Sequence, residues 1–235
     1  GRTRTVLGSV RDLDVFWEKT QLYIDELSPD RRDHLVLLRE AWEAEHEKAR
    51  EALLHYLDSD RYSDFKERSA ELLRAPGAWE MATLTKKGEA VPHRVRHIVP
   101  VELYERMADV LAYDEWVRES NASLKQLHRL RIAGKRMRYT LEFFEEVLAP
   151  QTADLIDQMK RLQDHLGDLQ DAVVASELLR DFLTWGTWGH TEDKKKRSKM
   201  PQEPVVAPGV AVYMAEKQAD IQHLLSSFPA IWSYF

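Results

Sequence analysis

Runs of helix-forming residues, broken at intervals by glycine and proline, constrain the fold of this chain more than any other feature. Nine glycines and nine prolines punctuate 235 residues. Between them leucine, alanine, glutamate, arginine and lysine dominate, as in helices joined by short connections. Leu22, Leu27, Leu35, Leu38, Trp42, Ala49, Leu53 and Leu57 fall at helical spacing around a break at Ser28 and Pro29. There the serine can cap and the proline can take the first helical position, so two helices meet in a tight join. Further helices are expected over 60–74, 101–119, 121–149, 151–184 and 209–227. Alternation of the kind a half-buried strand needs is almost absent, and the expected fold class is all-α.

Two segments interrupt the pattern. Ala75 to Pro100 contains Pro76, Gly77, Gly88, Pro92 and Pro100 and reads as a connection (76–100) between a first helical half (1–75) and a second (101–235). Gly186 to Pro208 carries Lys194, Lys195, Lys196, Arg197 and Lys199 followed by prolines, and reads as a mobile loop (186–208) whose cations are solvated or touch an anion. The longest nearly apolar stretch, Val205 to Ala215, is interrupted by Pro208 and Gly209 and is far shorter than the ~20 residues a spanning helix needs. There is no cysteine, hence no disulfide or thiolate metal site, and the first residues lack the apolar core of a secretory signal. A cytoplasmic protein with no membrane partner is expected.

An internal match is more informative. Leu7-Gly8-Ser9-Val10-Arg11-Asp12-Leu13-Asp14-Val15 aligns with Leu166-Gly167-Asp168-Leu169-Gln170-Asp171-Ala172-Val173-Val174, offset by 159 residues. Each copy has a glycine inside a helical pattern, where it costs about 1 kcal/mol relative to alanine, so each is expected to mark a close helix contact. The match suggests two antiparallel helical bundles related by a pseudo-two-fold. The counterpart of the 121–149 helix would then lie before residue 1, which leaves the first bundle without its N-terminal basic helix.

That 121–149 helix has unusual charge. No acidic residue lies between Glu119 and Glu142, while Lys125, Arg129, Arg131, Lys135, Arg136 and Arg138 lie within it. The formal net charge is −6, which argues against a generic nucleic-acid binder, yet the six cations of this window leave −12 for the rest of the chain. At helical pitch His128, Arg131, Lys135, Arg138 and Tyr139 lie within about 100° of one another. Lys125, Arg129 and Arg136 form a flanking row. Leu127, Leu130, Ala133, Gly134, Met137, Leu141 and Phe144 occupy the opposite, core-facing side. Cations stacked at three- and four-residue spacing repel, so something anionic should compensate. One candidate is internal: Asp157, Asp164, Asp168 and Asp171 share a face of the next helix. The other is a polyanion, because guanidinium and ammonium groups in a row, with a histidine able to donate, suit a chain of phosphates.

Leu127-His128-Arg129-Leu130-Arg131-Ile132-Ala133-Gly134-Lys135-Arg136-Met137-Arg138-Tyr139, followed by Leu141-Glu142-Phe143-Phe144, resembles the signature helix of the CHAD family, the conserved-histidine α-helical domain. Leu162-Gln163-Asp164, Leu166-Gly167-Asp168, Leu7-Gly8, Arg11-Asp12-Leu13-Asp14 and the closing Tyr213 to Trp232 helix are similar to that family as well. The resemblance implies two helical bundles and a basic groove that binds inorganic polyphosphate without catalysis. It implies association with polyphosphate granules in a bacterial cytoplasm and a polyphosphate or triphosphate-tunnel enzyme as partner. Residue by residue, His128, Arg131, Lys135 and Arg138 correspond to the signature histidine and cations, with Arg129 and Arg136 as the variable flank. Arg96, Arg106 and Lys160 are further candidates for the same groove, whereas His93 and His97 also read as exposed loop residues.

Other classes of function find less support in the residues. Neither adjacent His-Asp ligands nor a His-Glu-x-x-His helix occurs, and no Gly-rich phosphate loop or Gly-x-Ser-x-Gly turn is present. No catalytic residue, metal or cofactor is expected. For nucleic acid, the strip would attract phosphates, but Tyr139 alone is offered for stacking. A nucleic-acid-binding helical module, or an accessory domain of a phosphate-metabolising enzyme, is the alternative.

Overall fold

The computed structural model describes residues 2–78, 80, 82–119, 122–186 and 205–234. The fold is all-α: no strand forms among these residues, and one isolated antiparallel bridge joins Leu84 to Ala90 around the positive-φ turn at Gly88. The helices are α1 (Arg2–Glu26), α2 (Pro29–Arg32), α3 (Val36–Leu57), α4 (Asp60–Arg74), α5 (Val95–Leu111), α6 (Asp114–Arg118), α7 (Leu124–Phe144), α8 (Thr152–Trp185) and α9 (Pro208–Trp232). Short 3-10 turns follow α2 and α7. The basic loop expected over 186–208 falls mainly on 187–204, outside the described residues.

Several boundaries differ from those the sequence suggests. The connection is shorter than 76–100, because α5 begins at Val95 and carries Pro100 inside it. Pro100 and Arg96 are both exposed, where water can take the backbone bond that the missing proline N–H gives up. The helix expected over 101–119 breaks at Ala112 and Tyr113, and α9 continues to Trp232 through Pro229. Pro29 does open α2, but the Ser28 side chain makes no capping bond. Its carbonyl accepts the N–H groups of Arg31 and Arg32 instead.

The chain forms two compact units, 1–79 with 173–218, and 80–172 with 219–235. Helices α8 and α9 contribute to both. In the first unit Phe16, Leu35, Leu38, Ala175, Leu179, Phe182, Ala207, Val210 and Tyr213 form the core. Thr20 is fully buried among them and satisfies its hydroxyl by donating to the Phe16 carbonyl at 2.8 Å. Beside this core Trp42 stacks on Trp17 at 4.6 Å and donates its indole N–H to the Leu13 carbonyl. Gly209 lets α9 pass close to the turn before α3: a Cβ there would lie 2.5 Å from His34 Cβ and 3.0 Å from the His34 carbonyl oxygen.

The second unit buries Val99 and Val110 of α5, Val117 of α6, and Leu127, Leu130, Met137 and Leu141 of α7. Ile156, Met159, Leu162, Leu166, Leu169 and Ala172 of α8, with Phe228 and Trp232 of α9, complete this set. Helix α9 is tied in by two polar contacts: Trp232 Nε1 donates to Asp114 at 2.8 Å, and His165 Nε2 donates to the Leu224 carbonyl at 2.9 Å. Arg118 in α6 completes the Asp114 cluster with a bond of 2.7 Å. Arg118 first, and Trp232 second, hold the Asp114 carboxyl below its ordinary range.

The two glycines of the internal match do not mark close contacts. A Cβ at Gly8 or Gly167 would meet nothing within 4 Å. The close approach in the second unit is made by Gly134, whose Cβ would lie 3.2 Å from Met159 Cε and 3.9 Å from Leu162 Cδ2. A glycine in a helix admits a neighbour only where its missing side chain points at one, and here that direction belongs to α7.

Candidate functional site

Helix α7 begins with a capping box. The Ser123 hydroxyl accepts the Gln126 N–H at 3.3 Å, and the Gln126 side chain accepts the Ser123 N–H at 2.8 Å, which satisfies two N–H groups that a helix start leaves unpaired. The inner face is the one the periodicity predicts: Leu127, Leu130, Gly134, Met137 and Leu141 are buried, with Ala133 and Phe144 half-buried. With that face committed to the core, His128, Arg129, Lys135 and Arg136 are left exposed, and Arg131 and Arg138 lie at the margin, half-buried.

Two neutral glutamines of α8 meet the basic helix. His128 Nδ1 donates to Gln170 Oε1 at 2.7 Å. Arg138 Nε donates to Gln163 Oε1 at 3.0 Å, while Gln163 Nε2 donates to the Gly134 carbonyl at 3.0 Å. Arg138 also pairs with Glu142 of its own helix at 3.0 Å. Among the described residues Lys125, Arg129, Arg131, Lys135 and Arg136 make no ion pair, and Asp157 of α8 pairs with Lys160 of its own helix.

The glutamines have a positioning consequence. Because an amide oxygen only accepts, the Gln170 contact places the His128 hydrogen on Nδ1 and leaves Nε2 as the acceptor nitrogen of the neutral ring. Gln163 holds the Arg138 guanidinium edge-on and is itself anchored to the backbone at Gly134, the point of closest helix approach. Tyr139, beside them, lies under Arg138 (4.9 Å to the ring centroid) and Lys135 (5.5 Å). Sequence reasoning assigned no role to Gln163 and Gln170. Their seven-residue spacing, each directly after a buried leucine (Leu162 and Leu169), is the signal that both lie on the side of α8 bordering the core.

The other candidate cations are more engaged. Arg106 pairs within α5 with Glu102 at 3.1 Å and Asp109 at 3.9 Å, and Lys160 pairs with Asp157 at 3.2 Å. Arg96 is exposed and donates to His97 Nε2 at 3.3 Å. His93 bonds the Val91 carbonyl at 2.8 Å and its ring lies 5.8 Å from that of His97. No group of three or more histidines or carboxylates that could hold a metal ion occurs among the described residues. Likewise, no described helix is long and apolar enough to cross a membrane.

An all-α domain with one cation-bearing helix face, oriented by amides of its neighbour, is the class that this fold and site define. The family model of the CHAD domain matches residues 1–180. The chain belongs to the CHAD family, and the matched region includes α7 and most of α8. No curated protein gives a significant match.

Proposed function

We propose that this chain binds inorganic polyphosphate, without a reaction of its own, through the outward face of α7. The observation that carries this reading is that Arg131 and Lys135, set between His128 and Arg138, have no carboxylate partner among the described residues. A polyphosphate chain presents oxygens at short, regular intervals. Arginine engages them bidentately, lysine acts as a point charge, and His128 Nε2 adds a third kind of contact. Membership of the CHAD family is consistent with a polyphosphate-related role. In this reading the protein places or organises the polymer at polyphosphate granules, beside a polyphosphate or triphosphate-tunnel enzyme.

The paired variant Arg131→Ala with Lys135→Ala tests it. Hydrogen bonds to charged groups contribute roughly 1.5–3 kcal/mol, so losing two such side chains should weaken polyphosphate binding at least tenfold, about 1.4 kcal/mol or more. Helicity by circular dichroism should not change, because neither side chain makes a hydrogen bond or ion pair that supports the fold. Unchanged affinity would reject the assignment. Arg138 is a poorer probe, since its loss also strands Gln163 and Glu142.

A further inference from the structure

Three apolar side chains run down the middle of the same helix face, and a polyphosphate chain gives them nothing to do. Ile132, Tyr139 and Phe143 are 39%, 49% and 80% exposed. At helical pitch they fall within about 40° of one another. Arg131, Lys135 and Arg138 lie along one side of this line and Arg129 and Arg136 along the other. Single exposed apolar residues are ordinary, but Ile132 and Tyr139 lie between two rows of cations, and Phe143 lies one turn beyond Tyr139, past the last cation of the helix and next to Glu142.

Each ring also has a packing neighbour. Phe143 meets the half-buried Phe144 at right angles, with centroids 4.8 Å apart, and Tyr139 is braced by Arg138 and Lys135. The two rings are one helical turn apart, about 6 Å along the axis. Exposed aromatic rings beside a row of cations are an arrangement that binds single-stranded nucleic acid. The cations track the phosphates, and each ring takes the face of a base, which every base has. A duplex hides those faces in its own stack, and the surplus negative charge elsewhere on the chain opposes a wide polyanion more than a narrow one.

We propose that the α7 face binds single-stranded nucleic acid, its bases stacked on Phe143 and Tyr139 and its phosphates on Arg131, Lys135 and Arg136. This shares the accessible cations of the polyphosphate reading and adds to them a requirement for bases. The test uses the full chain and fluorescence anisotropy with an oligoadenylate of about 20 nucleotides, longer than the ~4–16 a small binding domain covers. Beside it stand an abasic strand of the same phosphate count and a polyphosphate of matched charge.

The oligoadenylate should bind more tightly than the abasic strand. Phe143→Ala and Tyr139→Ala should each weaken it about fivefold or more, Phe143→Trp should retain it, and Phe143→Ala should leave polyphosphate binding as it was. Arg131→Ala with Lys135→Ala should weaken both ligands. Equal affinity for the abasic strand, or indifference to Phe143→Ala, would overturn the proposal and leave the polyphosphate reading standing. Base-dependent binding of the oligoadenylate with no binding of polyphosphate would support this proposal and remove the other.

Discussion

Leu7 in α1 and Leu166 in α8 occupy the same place in matching nine-residue segments, both helical, yet Leu166 is 2% exposed and Leu7 48%. In the second unit α8 lies along α7, with Gly134 against Met159 and Leu162 and amide contacts at Gln163 and Gln170. The positions of α1 that correspond to those glutamines are Arg4 and Arg11, both exposed. The first unit takes its core from farther along α1, at Phe16 and Thr20, with Leu35, Leu38 and Tyr213. A repeated pattern determines which residues share a helix face; what packs on that face determines whether it becomes core.

The sharpest way to break this comparison is to truncate both leucines. Leu166→Ala should cost about 2–5 kcal/mol and Leu7→Ala no more than about 0.5 kcal/mol, measured by urea denaturation followed by circular dichroism; equal losses would mean that the two faces are equivalent after all. The glycines at close approaches form the next pair. Gly209→Ala should cost about 1–3 kcal/mol, because its Cβ meets the main chain of His34. Gly134→Ala should be within about 1 kcal/mol of neutral, since Met159 Cε can swing aside and alanine gains helix propensity. At the repeat glycines, where the two segments are alike, Gly8→Ala and Gly167→Ala should each stabilise by about 0.5–1 kcal/mol. A loss at either would restore the close contact that their place in the repeat suggests.

The smallest effects separate the units by pH. In the first unit burial foremost, then Glu216, pushes the Tyr23 hydroxyl up to about 12. The fold thus favours the neutral phenol, and the associated stability is present below the ordinary tyrosine value and lost as pH rises through about 12. In the second unit the lowered Asp114 carboxyl contributes stability above the ordinary carboxylate range that is lost as pH falls through its lowered value. Tyr23→Phe should flatten the alkaline limb of a stability profile and Asp114→Asn the acid limb; exchange of the two effects would contradict the assignment.

Much of the second unit was legible because periodicity carries it. The inner face of α7 follows from the spacing of Leu127, Leu130, Met137 and Leu141, and the outer face from the run of residues without an acid. Gln163 and Gln170 were harder to see, since a neutral amide leaves no trace in a charge pattern and its role depends on which helix lies opposite. Gly8 and Gly167 misled because the propensity cost of a glycine says nothing about where its missing Cβ would point. Pro100 reads as part of a connection but lies inside α5. Helical pitch puts Phe144 toward the core and Phe143 away from it, and the packing agrees, with Phe144 half-buried and Phe143 80% exposed.

The central claim concerns the α7 face, and calorimetric titration of the unaltered full chain with long-chain polyphosphate at low and high salt tests it most directly. Exposed cations predict tight binding at low salt that weakens markedly as the Debye length shrinks from roughly 10 Å at 0.1 M toward 3 Å at 1 M. Absence of binding at low salt, or an affinity that salt leaves unchanged, would contradict it.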